Sequence, residues 1–365
     1  RLLRLTERAK KDSRLAETEV VDLREELRSG NRSIFSRRLQ ELMEETLERK
    51  EQIMLFINRR GYSSFVSCRS CGEALKCPHC DVSLTLHRNG RLKCHYCGYE
   101  IPMPDRCPSC GSPYIAGFGT GTQKIEELTR KMFPQARVLR MDMDTTSRKG
   151  GHEEILAAFG DGEADILIGT QMIVKGHDFP RVTLVGVLAA DLSLHAPDFA
   201  CGERTFQILT QAAGRAGRGE HAGRVVIQTY MPEHYSIQAA ASQDYEMFYE
   251  EEMSYRRMLH YPPAVGMLTI AASSPKEEVL IQAARGMREA AERVGTENMG
   301  EDVGQESGVR TSAEIIGPVD APVYKVNDIY RKILYIKHEN YDILLKIREQ
   351  IEKLELPVLL GFDMQ

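Results

Sequence analysis

The stretch ADILIGTQMIVKGHDFPRVTLVGVLAA, residues 164–190, sets two apolar runs around a polar loop. Short apolar runs bounded by turn-forming residues read as buried strands, here Ala164–Thr170 and Val182–Ala190. Upstream, EVVDL (Glu19–Leu23) reads as a strand, Ser33–Lys50 as an amphipathic helix and QIMLFIN (Gln52–Asn58) as a buried strand. Strand Tyr114–Gly119, helix Gly121–Phe133, strand Arg137–Asp142 and helix His152–Phe159 lead into the quoted stretch. Helix Glu203–Gly217 and strand Gly223–Tyr230 follow it. Strands alternating with helices predict an α/β fold with a doubly wound parallel sheet. Ligands of such sheets bind at the carboxyl ends of the strands.

The 365 residues carry 48 Lys+Arg against 53 Asp+Glu, a formal charge of −5. This excludes a globally basic nucleic-acid binder but not a local basic patch. Hydrophobic residues are 42% and charged residues 28%, enough for a soluble core. The longest nearly apolar run, Val182–Ala190, falls short of the roughly 20 residues that span a bilayer. The start, Arg1-Leu2-Leu3-Arg4, is not backed by a signal-peptide apolar run and lacks Met, so the expectation is a cytoplasmic protein and a piece of a longer chain.

Eight of the nine cysteines form four Cys-x-x-Cys pairs: Cys68/Cys71, Cys77/Cys80, Cys94/Cys97 and Cys107/Cys110. Two residues between thiolates let both sulfurs reach one tetrahedral ion, and four sulfurs fill a structural zinc site. Gaps of five, thirteen and nine residues separate the pairs. They favour pairing inner with inner, as a ribbon with a hairpin over Val82–His87 and Gly90–Lys93, and outer with outer. Sequential pairing would cramp the five-residue loop. Four disulfides would suit a secreted chain. Two purely structural Zn2+ ions are expected, with His79, His87 and His95 not needed as ligands. Cys201 reads as a plain interior thiol. From Arg59 to Arg106 there are eight Lys/Arg and four Asp/Glu, with Tyr62, Phe65, Tyr96 and Tyr99 interleaved. That suits single-stranded nucleic acid, and equally solvated loops on a zinc scaffold.

Four polar segments are expected at the strand ends: Asn58-Arg59-Arg60-Gly61, Gly119–Thr122, Thr170–Asp178 and Gln211–Gly219. In the last, QAAGRAGR, Arg215 and Arg218 are three apart, one helix face, and Gly214 and Gly217 clear room for guanidiniums suited to phosphate oxygens.

Gln211–Arg218 resembles motif VI (QxxGRxGR) of superfamily 2 helicases, Thr170–Asp178 their motif V, and Gln52–Gly61 their motif IV. NRRG, four Cys pairs, GTGTQ, TQMIVKGHDFP and QAAGRAGR in that order resemble the PriA-like replication-restart helicases over nearly the whole chain. The resemblance implies a RecA-like helicase lobe 2 over 1–67 and 111–261, with an inserted two-zinc Cys-rich module over 68–110. A DNA- or partner-binding domain would follow over 262–365. It implies 3′-to-5′ movement along DNA, with Arg218 and Arg215 as arginine fingers to the γ-phosphate and Gln211 positioning nucleotide or water. Gly176 and Asp178 would meet ribose and phosphate. Asn58, Arg59, Thr122, Thr170 and Gln171 would hold the single strand. Implied partners are branched and single-stranded DNA, single-strand-binding protein, other primosome proteins and the replicative helicase loader, in a bacterial, nucleoid-associated setting without a membrane. ATP and Mg2+ would serve the full-length protein. No GxxxxGK[ST] and no DEAH-like box occurs in these residues, so this chain alone is not expected to hydrolyse ATP. A non-catalytic zinc-ribbon DNA-binding or assembly module is the alternative.

After the Pro262-Pro263 break in a long polar helix from near Glu233, strand, helix, two strands, helix and strand predict an α+β ferredoxin-like or ribosomal-protein-like domain. Gly295–Gly308 reads as an acidic, disordered loop. Tyr324, Lys325, Tyr330, Arg331, Lys332 and Lys337 read either as a DNA contact or as solvated lysines on an edge hairpin.

Overall fold

The computed structural model describes residues 15–57, 66–79, 82–87, 90–95, 97–117, 121–142, 145–146, 150–173, 178–196, 198–217, 223–297 and 312–365. In chain order it begins with β1 (Glu17–Asp22), α1 (Leu23–Arg28), α2 (Arg37–Glu48) and β2 (Gln52–Phe56). The cysteine segment holds β3 (Val66–Cys68), β4 (Thr85–Leu86), β5 (Arg91–Lys93), β6 (Glu100–Pro102) and β7 (Ile115–Gly117). Then come α3 (Thr122–Met132), β8 (Val138–Met141), α4 (Gly151–Asp161), β9 (Ile166–Gly169), β10 (Val182–Val187), α5 (Asp191–Leu194), α6 (Cys201–Ala213) and β11 (Arg224–Thr229). The chain closes with α7 (Tyr235–Ser242), α8 (Tyr245–Met258), β12 (Gly266–Ser274), α9 (Glu277–Glu297), β13 (Glu314–Val326), β14 (Ile329–His338), α10 (Tyr341–Glu352) and β15 (Leu359–Met364).

Contacts divide the chain into two compact units: residues 1–74 with 104–249, and 75–103 with 250–365. The first holds a six-stranded sheet of order β1-β11-β10-β2-β9-β8, parallel at every pairing. Its central strands β2, β9 and β10 are buried throughout because both faces are covered. Met54 and Phe56 join one core with Val185, Val187 and Phe206, while Ile53, Leu55 and Ile57 join the other with Leu39, Leu42 and Ile125. This is the doubly wound arrangement expected of the alternation. Two elements differ. Tyr114–Gly119 adds no strand to that sheet; its core, β7, pairs antiparallel with β3 at the mouth of the cysteine segment. The long helix from near Glu233 is two helices, because Gln243 takes a left-handed backbone, φ 54°, that ends α7.

In the second unit β13-β14-β12-β15 form an antiparallel sheet. With α9 and α10 burying Leu280, Met287, Leu344 and Ile347 on one face, this is the ferredoxin-like order expected. The ribbon strands β4, β5 and β6 form their own antiparallel sheet in this unit. Lys93 and Lys332 both meet Asp320, each at 2.7 Å. Burial pushes the Asp320 carboxyl up, but the two ammonium groups outweigh it and hold it below its ordinary range. The cysteine segment is thus shared between the two units rather than forming a third body over 68–110. The acidic loop over 295–308 falls outside the described residues beyond Glu297.

Glu252 and Arg256, 4% and 5% exposed, form a buried ion pair of 2.7 Å, and Arg256 also donates to the Pro262 carbonyl at 2.7 Å. Breaking a buried pair leaves an uncompensated charge. Glu252→Ala is expected to cost about 3–5 kcal/mol in the second unit, read as a lower urea midpoint. An unchanged midpoint would show the guanidinium content with its carbonyl alone.

Candidate metal centres and helicase-motif residues

The four knuckles share one local design. In each, the amide of the first cysteine donates to the carbonyl five residues on: Cys68 to Glu73, Cys77 to Val82, Cys94 to Tyr99 and Cys107 to Ser112, at 2.8–2.9 Å. In three of them a glycine amide closes the turn onto the cysteine carbonyl, Gly72 to Cys68, Gly98 to Cys94 and Gly111 to Cys107. Those glycines have φ of +81°, +80° and +72°, a region costly for residues with a Cβ.

The turns bring Cys68, Cys71, Cys107 and Cys110 together with every sulfur within 4.8 Å of the others, and likewise Cys77, Cys94 and Cys97. Cys80 lies outside the described residues. A tetrahedral ion with Zn–S of ~2.3 Å requires S···S edges of ~3.8 Å. The Cys68–Cys110 and Cys71–Cys107 pairs stand at 3.6 and 3.7 Å, and Cys77–Cys97 at 3.4 Å. The donor set therefore fits zinc, grouped outer with outer and inner with inner. Burial opposes ionisation of Cys68, yet backbone N–H groups of Cys71 and Ser70 and its thiol neighbours bring its thiol down to about 7. Burial pushes the neighbouring Cys71 thiol up. An ion at the centre would supply the charge that lets all four ionise. His87 and His95 face each other, Nε2 to Nε2 at 3.2 Å, outside both sulfur groups. Cys201 is a half-buried thiol at the start of α6.

The motif residues divide between opposite ends of the sheet. At the carboxyl end of β9, Thr170 is half-buried and accepts the Ile173 amide on its carbonyl, 3.0 Å, and Gln171 is buried. Thr122 opens α3 and gives its hydroxyl to Asp142 at 2.5 Å, committing that group inside the fold rather than to a ligand. Gln211–Gly219 is not at that end. Helix α6 runs back along β10 and stops at Ala213, so Arg215 stands in a turn, not on a continued helix face. Gly217, φ +73°, donates to the carbonyl of Val182, the first residue of β10, at 3.0 Å. Asp178, exposed, precedes Val182 by one short turn in which the Val182 amide donates to Phe179. The bond from Gly217 therefore joins the tails of the two motifs at the amino edge of the sheet. Gln211 is exposed on the last turn of α6 and Arg215 is half-buried. Asn58, Arg59, Gly176 and Arg218 lie outside the described residues. Because β10 and β11 are parallel neighbours, the helix that joins them must end at the amino edge, a signal already present in the strand–helix alternation.

Residues 77–102 match the PriA DNA helicase Cys-rich region, 115–220 the helicase conserved C-terminal domain and 257–356 the primosomal protein N C-terminal domain. The replication restart protein PriA of Bacillus subtilis (strain 168) is 52% identical over 338 residues, covering 92% of this chain and 40% of that protein. This chain belongs to the PriA family. The PriA of Synechocystis sp. is 43% identical over 345 residues, 93% of this chain and 40% of that protein. The PriA of Haemophilus influenzae is 34% identical over 339 residues, 92% and 44%. The chain thus spans less than half the length of these PriA relatives. Among the described residues no helix is long and apolar enough to cross a membrane.

Proposed function

We propose that the chain supplies the second motor lobe, a two-zinc module and the C-terminal domain of an ATP-dependent 3′-to-5′ DNA helicase. That helicase acts on stalled or branched forks and restarts replication by primosome assembly. The Gly217–Val182 hydrogen bond carries this reading. It ties the turn that holds Arg215 to Val182, four residues after Asp178, while Thr170 and Gln171 open the same motif V segment at the carboxyl end of β9. One nine-residue segment so connects a nucleotide edge with a strand-holding edge. Arg215 and Arg218 would meet a γ-phosphate presented by another lobe, and Gln211 would orient the nucleotide. The C-terminal domain and the ribbon would meet branched DNA, single-strand-binding protein and the replicative helicase loader.

The 365 residues contain no P-loop and no acidic Mg2+ pair. The isolated chain is therefore expected to show no DNA-stimulated ATP turnover, whereas the full-length protein shows it in a steady-state phosphate-release assay. Turnover by the purified chain that disappears with Arg218→Ala would overturn this assignment. Absence of DNA-stimulated turnover in the full-length protein would favour the non-catalytic assembly module.

A further inference from the structure

The ribbon carries a second set of metal-ligating side chains that neither sulfur group uses. His87 follows β4 and His95 lies two residues past β5. The backbone under both is fixed. Thr85 pairs with Lys93 and Leu86 with Leu92. The His87 amide donates to the Arg91 carbonyl and the Cys94 amide to the Tyr99 carbonyl, each at 2.8 Å. His95 is 3% exposed and His87 is half-buried. Their Nε2 atoms stand 3.2 Å apart, with ring centroids 5.1 Å apart and planes inclined by 53°.

Two arrangements bring imidazole nitrogens this close. A straight N–H···N bond at that separation would put the centroids ~5.5 Å apart. Two lone pairs converging on one ion, with metal–nitrogen distances of ~2.0–2.1 Å, would put them ~5.0 Å apart. The observed 5.1 Å matches convergence. The other ring nitrogen of His95 agrees. A metal-binding histidine turns its remaining N–H to a backbone carbonyl, a carboxylate or water. His95 Nδ1 is buried and short of a full hydrogen bond, and the Asp320 main chain beside the ring favours a proton on it. The nearby charge of Lys93 is offset, because Asp320 holds that ammonium at 2.7 Å.

We propose that His87 and His95 form a third metal site, for an exchangeable divalent ion of the zinc class, completed by water. Imidazole nitrogens suit Zn2+, whereas Mg2+ and Ca2+ take oxygen ligands. With two protein ligands the ion keeps open positions, unlike the outer sulfur group, where four cysteines leave none. Two imidazoles also hold it less tightly than four thiolates, so a chelator removes it first. When bound, it ties the end of β4 to the end of β5 beside Asp320 of β13, and it stiffens the ribbon where the C-terminal sheet meets it.

The test uses the full-length protein, passed over a chelating column until two zinc equivalents remain, then dialysed against buffered Zn2+ with Mg2+ in excess. Metal analysis is expected to return a third equivalent despite the Mg2+, with a raised melting temperature because the ion binds only the folded ribbon. His87→Ala is expected to keep two equivalents and to lose both the third and the rise in melting temperature. A second measurement needs no variant. Diethyl pyrocarbonate labelling of His87, read by mass spectrometry, is expected to fall several-fold as the third equivalent binds. It decides the matter even if His87→Ala also loses a sulfur-bound zinc. A count that stays at two would overturn the proposal. So would a third equivalent retained by His87→Ala, or His87 labelling that zinc leaves unchanged.

Discussion

Arg218→Ala in the full-length protein is expected to abolish ATP turnover and unwinding while leaving DNA affinity without nucleotide nearly unchanged. In phosphoryl transfer, negative charge spreads over the γ-phosphate oxygens, and a guanidinium aimed there contributes on the order of 10³–10⁵ in rate. The local fold gives the reason to single out this residue. Helix α6 has ended at Ala213, and Gly217 is tied by its amide to Val182 with a left-handed backbone. Arg218 is the next residue in the chain. Arg218→Lys keeps the charge but loses the planar fork, so it too is expected to turn over ATP poorly. The decisive comparison is steady-state kcat against nucleotide-free oligonucleotide binding. Collapse of DNA affinity with ATP turnover preserved would make Arg218 a backbone contact and remove its assignment as a finger.

The second large effect concerns metal. Elemental analysis of reduced protein is expected to return two zinc equivalents per chain; one or none would contradict the two-site assignment. Apparent binding energies of structural zinc sites are about 10–16 kcal/mol, so each site decides whether its surroundings fold. Cys77→Ser is expected to remove one equivalent and unfold the ribbon, leaving the six-stranded sheet and its thermal transition in place. Cys68→Ser is expected to remove the other and to do wider damage. Cys68 is itself a residue of β3, paired with Ile115, and Gly72 of the same knuckle packs on the Tyr230 carbonyl. A single melting profile for both variants would show that the two sites do not serve separate units.

What was legible in the sequence was whatever is decided locally. QIMLF, ILIG and VTLVGV could only be strands covered on both faces, and the knuckles carry their ligand spacing and turn glycines within six residues. What stayed hidden depends on where the chain goes next. QAAGRAGR was expected at the carboxyl ends, but a parallel β10–β11 pair obliges the helix between them to end at the amino edge, so the strand–helix alternation already decided the placement of Arg215. Thr122 looked available because its acceptor, Asp142, is twenty residues away. Tyr114–Gly119 has strand character, but its partner is set by the cysteines that bring β3 beside it. The bond between Lys93 and Asp320 spans 227 positions, and no periodicity reports it.

The placement of residues 75–103 with 250–365 has a consequence for how this protein can be cut and how it can change. A piece begun at residue 250 would carry Asp320 without Lys93 and Val319 without Gly98 beside it. The backbone passes from one unit to the other three times, near residues 74, 103 and 249. No single truncation can therefore release the C-terminal unit whole.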